Sequence, residues 1–91
     1  MAWRRINYGS AESDRGVRVT RTGFRTLKYQ RGDDEITIDV EAGDKNLGVY
    51  ARSINRWENG ANIAEAERSE ILDDVAAALH VLQVPFELLW N

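Results

Sequence analysis

The chain has 91 residues, of which 43% are hydrophobic and 30% charged, with one proline and no cysteine. That length suits one domain with one core and leaves little chain to wall a deep substrate cleft. The composition excludes wholesale disorder, and the lack of cysteine excludes a disulfide framework, a thiolate zinc site and a thiol nucleophile. The net charge of −3 hides a split: residues 1–31 carry +6, and residues 32–91 carry −9. Such a split either cancels between neighbouring strands or leaves a polarised surface for a charged partner.

The amino end, Met1-Ala2-Trp3-Arg4-Arg5, has no apolar core of a leader peptide, and no stretch approaches the ~18 apolar residues of a membrane span. A cytoplasmic protein with no membrane partner is expected. Trp3 to Tyr8 reads as an edge strand or a loose amino end, and Glu12-Ser13-Asp14-Arg15-Gly16 as the turn after it. Val17 to Thr22 alternates with the two-residue period of a half-buried strand. Leu27 and Tyr29 share one face of the next strand, with Thr26, Lys28 and Gln30 opposite. Arg31-Gly32-Asp33-Asp34 then separates it from Glu35–Glu41, where Ile36, Ile38 and Val40 alternate with Thr37, Asp39 and Glu41. Two alternating runs around a glycine turn predict a β-hairpin. A second turn, Ala42–Asn46, leads to a strand over Leu47–Ala51.

Asn59-Gly60 marks a further turn, and Asn62 with Glu65 three places on predicts a capped helix start. Ile71, Val75, Ala78, Leu79 and Leu82 recur at helical spacing, so a helix is expected from about Ile63 to Leu82. Pro85 closes it, and Phe86, Leu88 and Trp90 against Glu87 and Leu89 suggest a short last strand. The fold class is α+β. One domain over 1–91 is expected, its first 16 residues peripheral, with an antiparallel sheet of four to six strands in the order β-β-β-β-α-β. The helix's apolar stripe must be covered, and the apolar faces of the strands are the surface large enough to cover it.

Candidate chemistry is sparse. The single histidine, His80, has Ala76, Ala77, Gln83 and Val84 at the spacings a helical metal pair needs. Asp73 and Asp74 are adjacent on the helix and point about 100° apart, so they share no site. The glycines form no phosphate-binding loop. No catalytic, cofactor-binding or metal-ligating residue is assigned, and the reading is not an enzyme. Arg18, Arg21, Arg25 and Lys28 with Tyr29 could form a basic face for nucleic acid, but they divide between strand faces and the pI is about 5.1. Protein binding fits better. Asp39 and Glu41 make an acidic strand face with Asp44 beyond it. Tyr50, Arg56, Trp57 and Glu58 bring the aromatic and arginine types enriched at interface centres. Trp57 can equally plug the end of the sheet.

From Leu27 to about Leu82 the chain resembles immunity proteins of bacterial polymorphic-toxin systems, in particular the immunity protein 74 family. The residues that carry the resemblance are Leu27–Asp33 with Ile36-Thr37-Ile38, the strand to Tyr50, and Ser53-Ile54-Asn55-Arg56-Trp57-Glu58. Ile63, Glu67-Arg68, Ile71, Val75, Ala78 and Leu79 complete it. The first 25 or so residues and Phe86–Asn91 lie outside it. The resemblance implies a non-catalytic inhibitor that binds a cognate toxin, with Asp39, Glu41, Asp44 and Glu58 facing a basic toxin domain and Trp57 or Tyr50 as anchor. Two other readings use other features: a nucleic-acid-binding regulator through residues 4–31, and a structural or adaptor subunit, monomer or homodimer, through an open sheet edge.

Overall fold

Two-residue alternation sets each strand's inner and outer face. In a computed structural model that describes residues 2–90, with Met1 and Asn91 outside it, the elements follow in chain order. They are β1 (Trp3–Asn7), β2 (Ser10–Ser13), β3 (Val17–Arg21), β4 (Thr26–Arg31), β5 (Asp34–Ala42), β6 (Leu47–Tyr50), a 3-10 turn (Ala51–Ser53), α1 (Glu65–Val81) and β7 (Phe86–Leu89). The strands form one seven-stranded sheet in sequence order. Every neighbouring pair is antiparallel except β6 and β7, which run parallel. Parallel neighbours need a crossover, and α1 supplies it.

The β4–β5 hairpin lies where the alternation places it, with Arg31 opposite Asp34 and a two-residue turn between them. Gly32 opens that turn at φ 61, a left-handed conformation that costs glycine little. β5 changes partner along its length: Asp34–Asp39 pair with β4, and Val40–Ala42 pair with β6. This exchange lets the sheet curl. The edge that β5 leaves open over its first half is closed by the segment after β6. There the Asp39 N–H donates to Ser53 Oγ at 3.0 Å, and the Glu58 N–H to the Glu35 carbonyl at 2.9 Å.

Three expectations need correction. The sheet has seven strands, beyond the four to six expected, and its last pair is parallel. The added strand is β2, which takes up Glu12 and Ser13 and confines the turn to Asp14–Gly16. Ser10-Ala11-Glu12-Ser13 has a single apolar residue, so its alternation is invisible in sequence, and the pairs Ser10–Thr20 and Ala11–Val19 make it a strand. Finally, α1 starts at Glu65 with Ala64 at its N-cap and no side-chain cap. Asn62 is instead bridged to Arg56, and the Ile63 N–H donates to the Asn55 carbonyl, so both belong to the preceding loop. Glu65 and Glu67 still lie in the first turn, where the helix dipole favours them.

The core is the space between the sheet's inner face and α1. Val17, Val19, Leu27, Tyr29, Ile36, Ile38, Val40, Leu47 and Val49 point into it from the strands. Ile71, Val75, Ala78, Leu79 and Leu82, the stripe read from sequence, meet them from the helix. Burying each of the larger side chains is worth about 1.5–3 kcal/mol. Ile54, Trp57 and Ile63 close the end where α1 begins. The helix stops in a Schellman turn: Val84 N–H bonds to the Leu79 carbonyl, Gln83 N–H bonds to His80, and Gln83 itself adopts φ 59.

Candidate functional site

One helix covers one face of the sheet, so the other face meets solvent. Along β5 that outer face carries Glu35, Thr37, Asp39 and Glu41, flanked by Lys28 and Gln30 on β4 and by Gly48 and Tyr50 on β6. On the basic strands it carries Arg18, directly opposite Glu12 of β2. Arg18 bonds Glu12 at 2.9 Å, and Lys28 reaches Glu35 at 3.2 Å. Exposed pairs like these stabilise by at most about 1 kcal/mol, but they do neutralise Arg18 and Lys28 on this face. Asp39 and Glu41 form no ion pair among the described residues. What is left on β5 and β6 is acidic.

The candidates named from sequence divide accordingly. Asp39, Glu41, Tyr50 and Glu58 come together along the outer face. The Tyr50 hydroxyl donates to Glu41 Oε2 at 3.0 Å, and Thr37 Oγ1 donates to Glu58 Oε1 at 3.0 Å. The hydrogen bond to Glu41 holds the Tyr50 phenol above its usual range, with Arg25 nearby acting in the opposite sense. Asp44 lies apart from them, in the exposed β5–β6 turn, and Arg56 sits on the loop before α1. Trp57 is 6% exposed and plugs the end of the core, which removes it as a surface anchor and leaves that part to Tyr50.

The residues expected to make a basic patch divide: Tyr29 is buried, and Arg21 and Arg25 stand exposed with no ion pair among the described residues. Arg18 and Lys28 are paired as above. Arg15 bonds Asp74 at 2.8 Å, Arg31 bonds Glu67 at 2.9 Å, and the Arg5 guanidinium donates to the Leu82 carbonyl at the end of α1. Pairs with acids of residues 32–91, made by Arg15, Lys28 and Arg31, absorb three of the six net positive charges of the first third.

Two features were not legible in the sequence. The first is a polar cluster that ties α1 to the sheet. Asp74 is the one charged side chain buried among the described residues, at 6% exposure. It accepts the Tyr29 hydroxyl at 2.7 Å as well as Arg15. Burial, and then this hydrogen bond, push the Tyr29 phenol far up. Next to Tyr29 stands Trp57, with the Arg31 guanidinium 5.0 Å above its ring and Glu67 bound to Arg31. No buried side-chain nitrogen or oxygen among the described residues lacks a partner, so this cluster is a satisfied clamp and not an open site. The second is the far edge of the sheet, where Leu88 and Trp90 are 39% and 49% exposed.

The surface hollows gather little chemistry. One is lined by Asn46, Gln83, Val84, Pro85 and Phe86 with His80 as its single titratable group. Among the described residues no group of three or more His, Asp or Glu is placed to hold a metal ion. No described helix is long and apolar enough to cross a membrane. No protein-family profile matches the chain, and no curated protein or solved structure matches it at a significant level.

Proposed function

We propose that this chain is a non-catalytic protein-binding domain whose acidic outer face along β5 receives a basic partner. The observation that carries the reading is the unequal cancellation of charge on one face. Arg18 and Lys28 are ion-paired within the fold, while Asp39 and Glu41 are exposed with no ion pair to any described residue, Glu41 accepting the neutral Tyr50 hydroxyl. Tyr50, half-buried beside Glu41, supplies an aromatic at the centre of that surface. The resemblance over Leu27–Leu82 makes the partner class a bacterial toxin domain and the role that of a cytoplasmic immunity protein. A field of fixed carboxylates steers a basic partner and raises its association rate.

The test begins with capture of the tagged protein from its native host, with bound protein and nucleic acid both measured. A basic protein recovered in one-to-one ratio is expected. Against that protein, Asp39→Lys with Glu41→Lys should lower the association rate by about tenfold at low salt and leave the melting temperature unchanged. Unchanged association kinetics in the folded double variant would overturn the assignment of this face. Nucleic acid recovered alone would overturn the protein-binding reading itself.

A further inference from the structure

An open seven-stranded sheet has two edges, and this chain treats them differently. The β1 edge carries Arg4 and Arg5, and its register with β2 slips at an irregularity between Arg5 and Asn7. Charged side chains and bulges are the devices that stop a second strand from adding to an exposed edge. β7 has little of either. Its run Phe86-Glu87-Leu88-Leu89-Trp90 holds one charge and no proline, and it pairs with β6 in unbroken register from Phe86 to Leu89.

The faces of β7 are also sorted. Phe86 and Leu88 stand opposite the buried Leu47 and Val49, so they lie on the helix side, where Leu88 is still 39% exposed because no further strand follows. Trp90 continues that alternation at 49% exposure. On the other face Leu89 lies over Gly48, so close that a Cβ at position 48 would come within 2.7 Å of Leu89 Cδ1. β7 is therefore seated on β6 with its outer row of N–H and C=O groups directed away from the sheet.

We propose that β7 pairs antiparallel with β7 of a second copy of this chain, joining two sheets edge to edge. The strand is complementary to itself. In a register centred on Leu88, that residue faces its own copy, Phe86 faces the partner's Trp90, and Glu87 faces the partner's Leu89. The apolar row meets its own image on the helix side, and the two glutamates are not opposite one another. Such an isologous contact closes at two copies. Pairing β7 with β1 of another copy would instead propagate without end, and Arg4, Arg5 and the irregularity in β1 oppose it. The contact is small compared with a standard interface of roughly 1,600 Å², so a dissociation constant on the order of 10–100 μM is expected. Glu87 and the acidic halves of the two outer faces would approach one another, so added salt should tighten the dimer.

This inference is independent of the binding face proposed above, because Asp39 and Glu41 take no part in the strand pair. Sedimentation of the intact chain from about 5 μM to 1 mM, across the expected dissociation range, tests it. The protein should pass from monomer to dimer with rising concentration, at lower concentration in high salt. Trp90→Lys lies beyond the last paired residue of β7, so it should weaken dimerisation about tenfold or more with the melting temperature unchanged. Leu88→Lys should abolish it, and Asp39→Lys with Glu41→Lys, which removes part of the acidic repulsion, should leave the dimer forming at the same or lower concentration. A monomer across the whole range, a dimer that survives both edge substitutions, or an open-ended series of oligomers would each overturn the proposal.

Discussion

Replacing Asp74 with alanine removes the acceptor of two hydrogen bonds that join α1 to the sheet. One comes from the Tyr29 hydroxyl at 2.7 Å, and the other from Arg15 at 2.8 Å. Tyr29 has no exposed surface, so its hydroxyl cannot turn to water once the carboxylate is gone. A buried donor left unpaired costs about 1–3 kcal/mol. The Arg15 contribution is smaller, because that side chain is 53% exposed and rehydrates, and exposed ion pairs are worth at most about 1 kcal/mol. A loss of about 2–3 kcal/mol follows, and in a domain of this size each kcal/mol moves the melting temperature by roughly 4–8 °C. Thermal melts followed by circular dichroism should therefore show a fall of roughly 8–24 °C. Tyr29→Phe on the alanine background should recover part of this, with a coupling of about 1–2 kcal/mol, because the orphaned donor is removed as well. Strictly additive losses in the double variant, or a melt within ~3 °C of the parent for Asp74→Ala, would refute the clamp.

Other outcomes follow from the same contacts. Tyr29 keeps its proton to higher pH in the folded chain than its ordinary value of 10.0. This stabilisation is complete below pH 10 and is lost as pH rises above it, because the unfolded chain gives up the proton first. Denaturant midpoints at pH 8, 10 and 11 should drop more steeply in the parent than in Tyr29→Phe, and parallel curves would contradict it. Gln83, at φ 59 in the turn that ends α1, holds a conformation better suited to glycine. Gln83→Gly should raise stability by about 0.5–1 kcal/mol in urea unfolding, the left-handed strain outweighing the added freedom of the unfolded chain. Gly48→Val would meet the terminal methyl of the part-exposed Leu89, which can turn aside, so urea unfolding should show a loss of no more than about 1–1.5 kcal/mol with β7 still paired to β6 by amide exchange.

The parts of this protein that were legible early are the local ones. Ile36-Thr37-Ile38-Asp39-Val40 is a strand with one wet face in any fold, because successive side chains point to opposite sides. The stripe from Ile71 to Leu82 is a buried helix face for the corresponding reason at a 3.6-residue period. The outer position of Asp39 and Glu41 follows from that same alternation. β2 has no visible period in sequence, with one alanine among polar residues, and its register is set by Thr20 and Val19 of another strand. The start of α1 differs from the one its capping pattern predicts because Asn62, an ordinary capping residue, is held by a bridge to Arg56. Trp57 could face either way in sequence, and the gap beside Tyr29 and Ile63 made it core.

The alternating strands, the amphipathic helix and the imbalance of charge are each a property of neighbours a few residues apart along the chain. Which charges cancel depends instead on long-range packing. Arg15 and Tyr29 meet Asp74 across 59 and 45 residues of chain, and nothing in the local pattern of any of the three announces that meeting. That packing also decides that β7 lies parallel to β6 and forms the sheet's far edge, since strand order depends on where a helix delivers the chain after crossing the core. Long-range pairing is set by the summed fit of whole faces, and so the acidic surface and the open edge appear only once every strand has its neighbour.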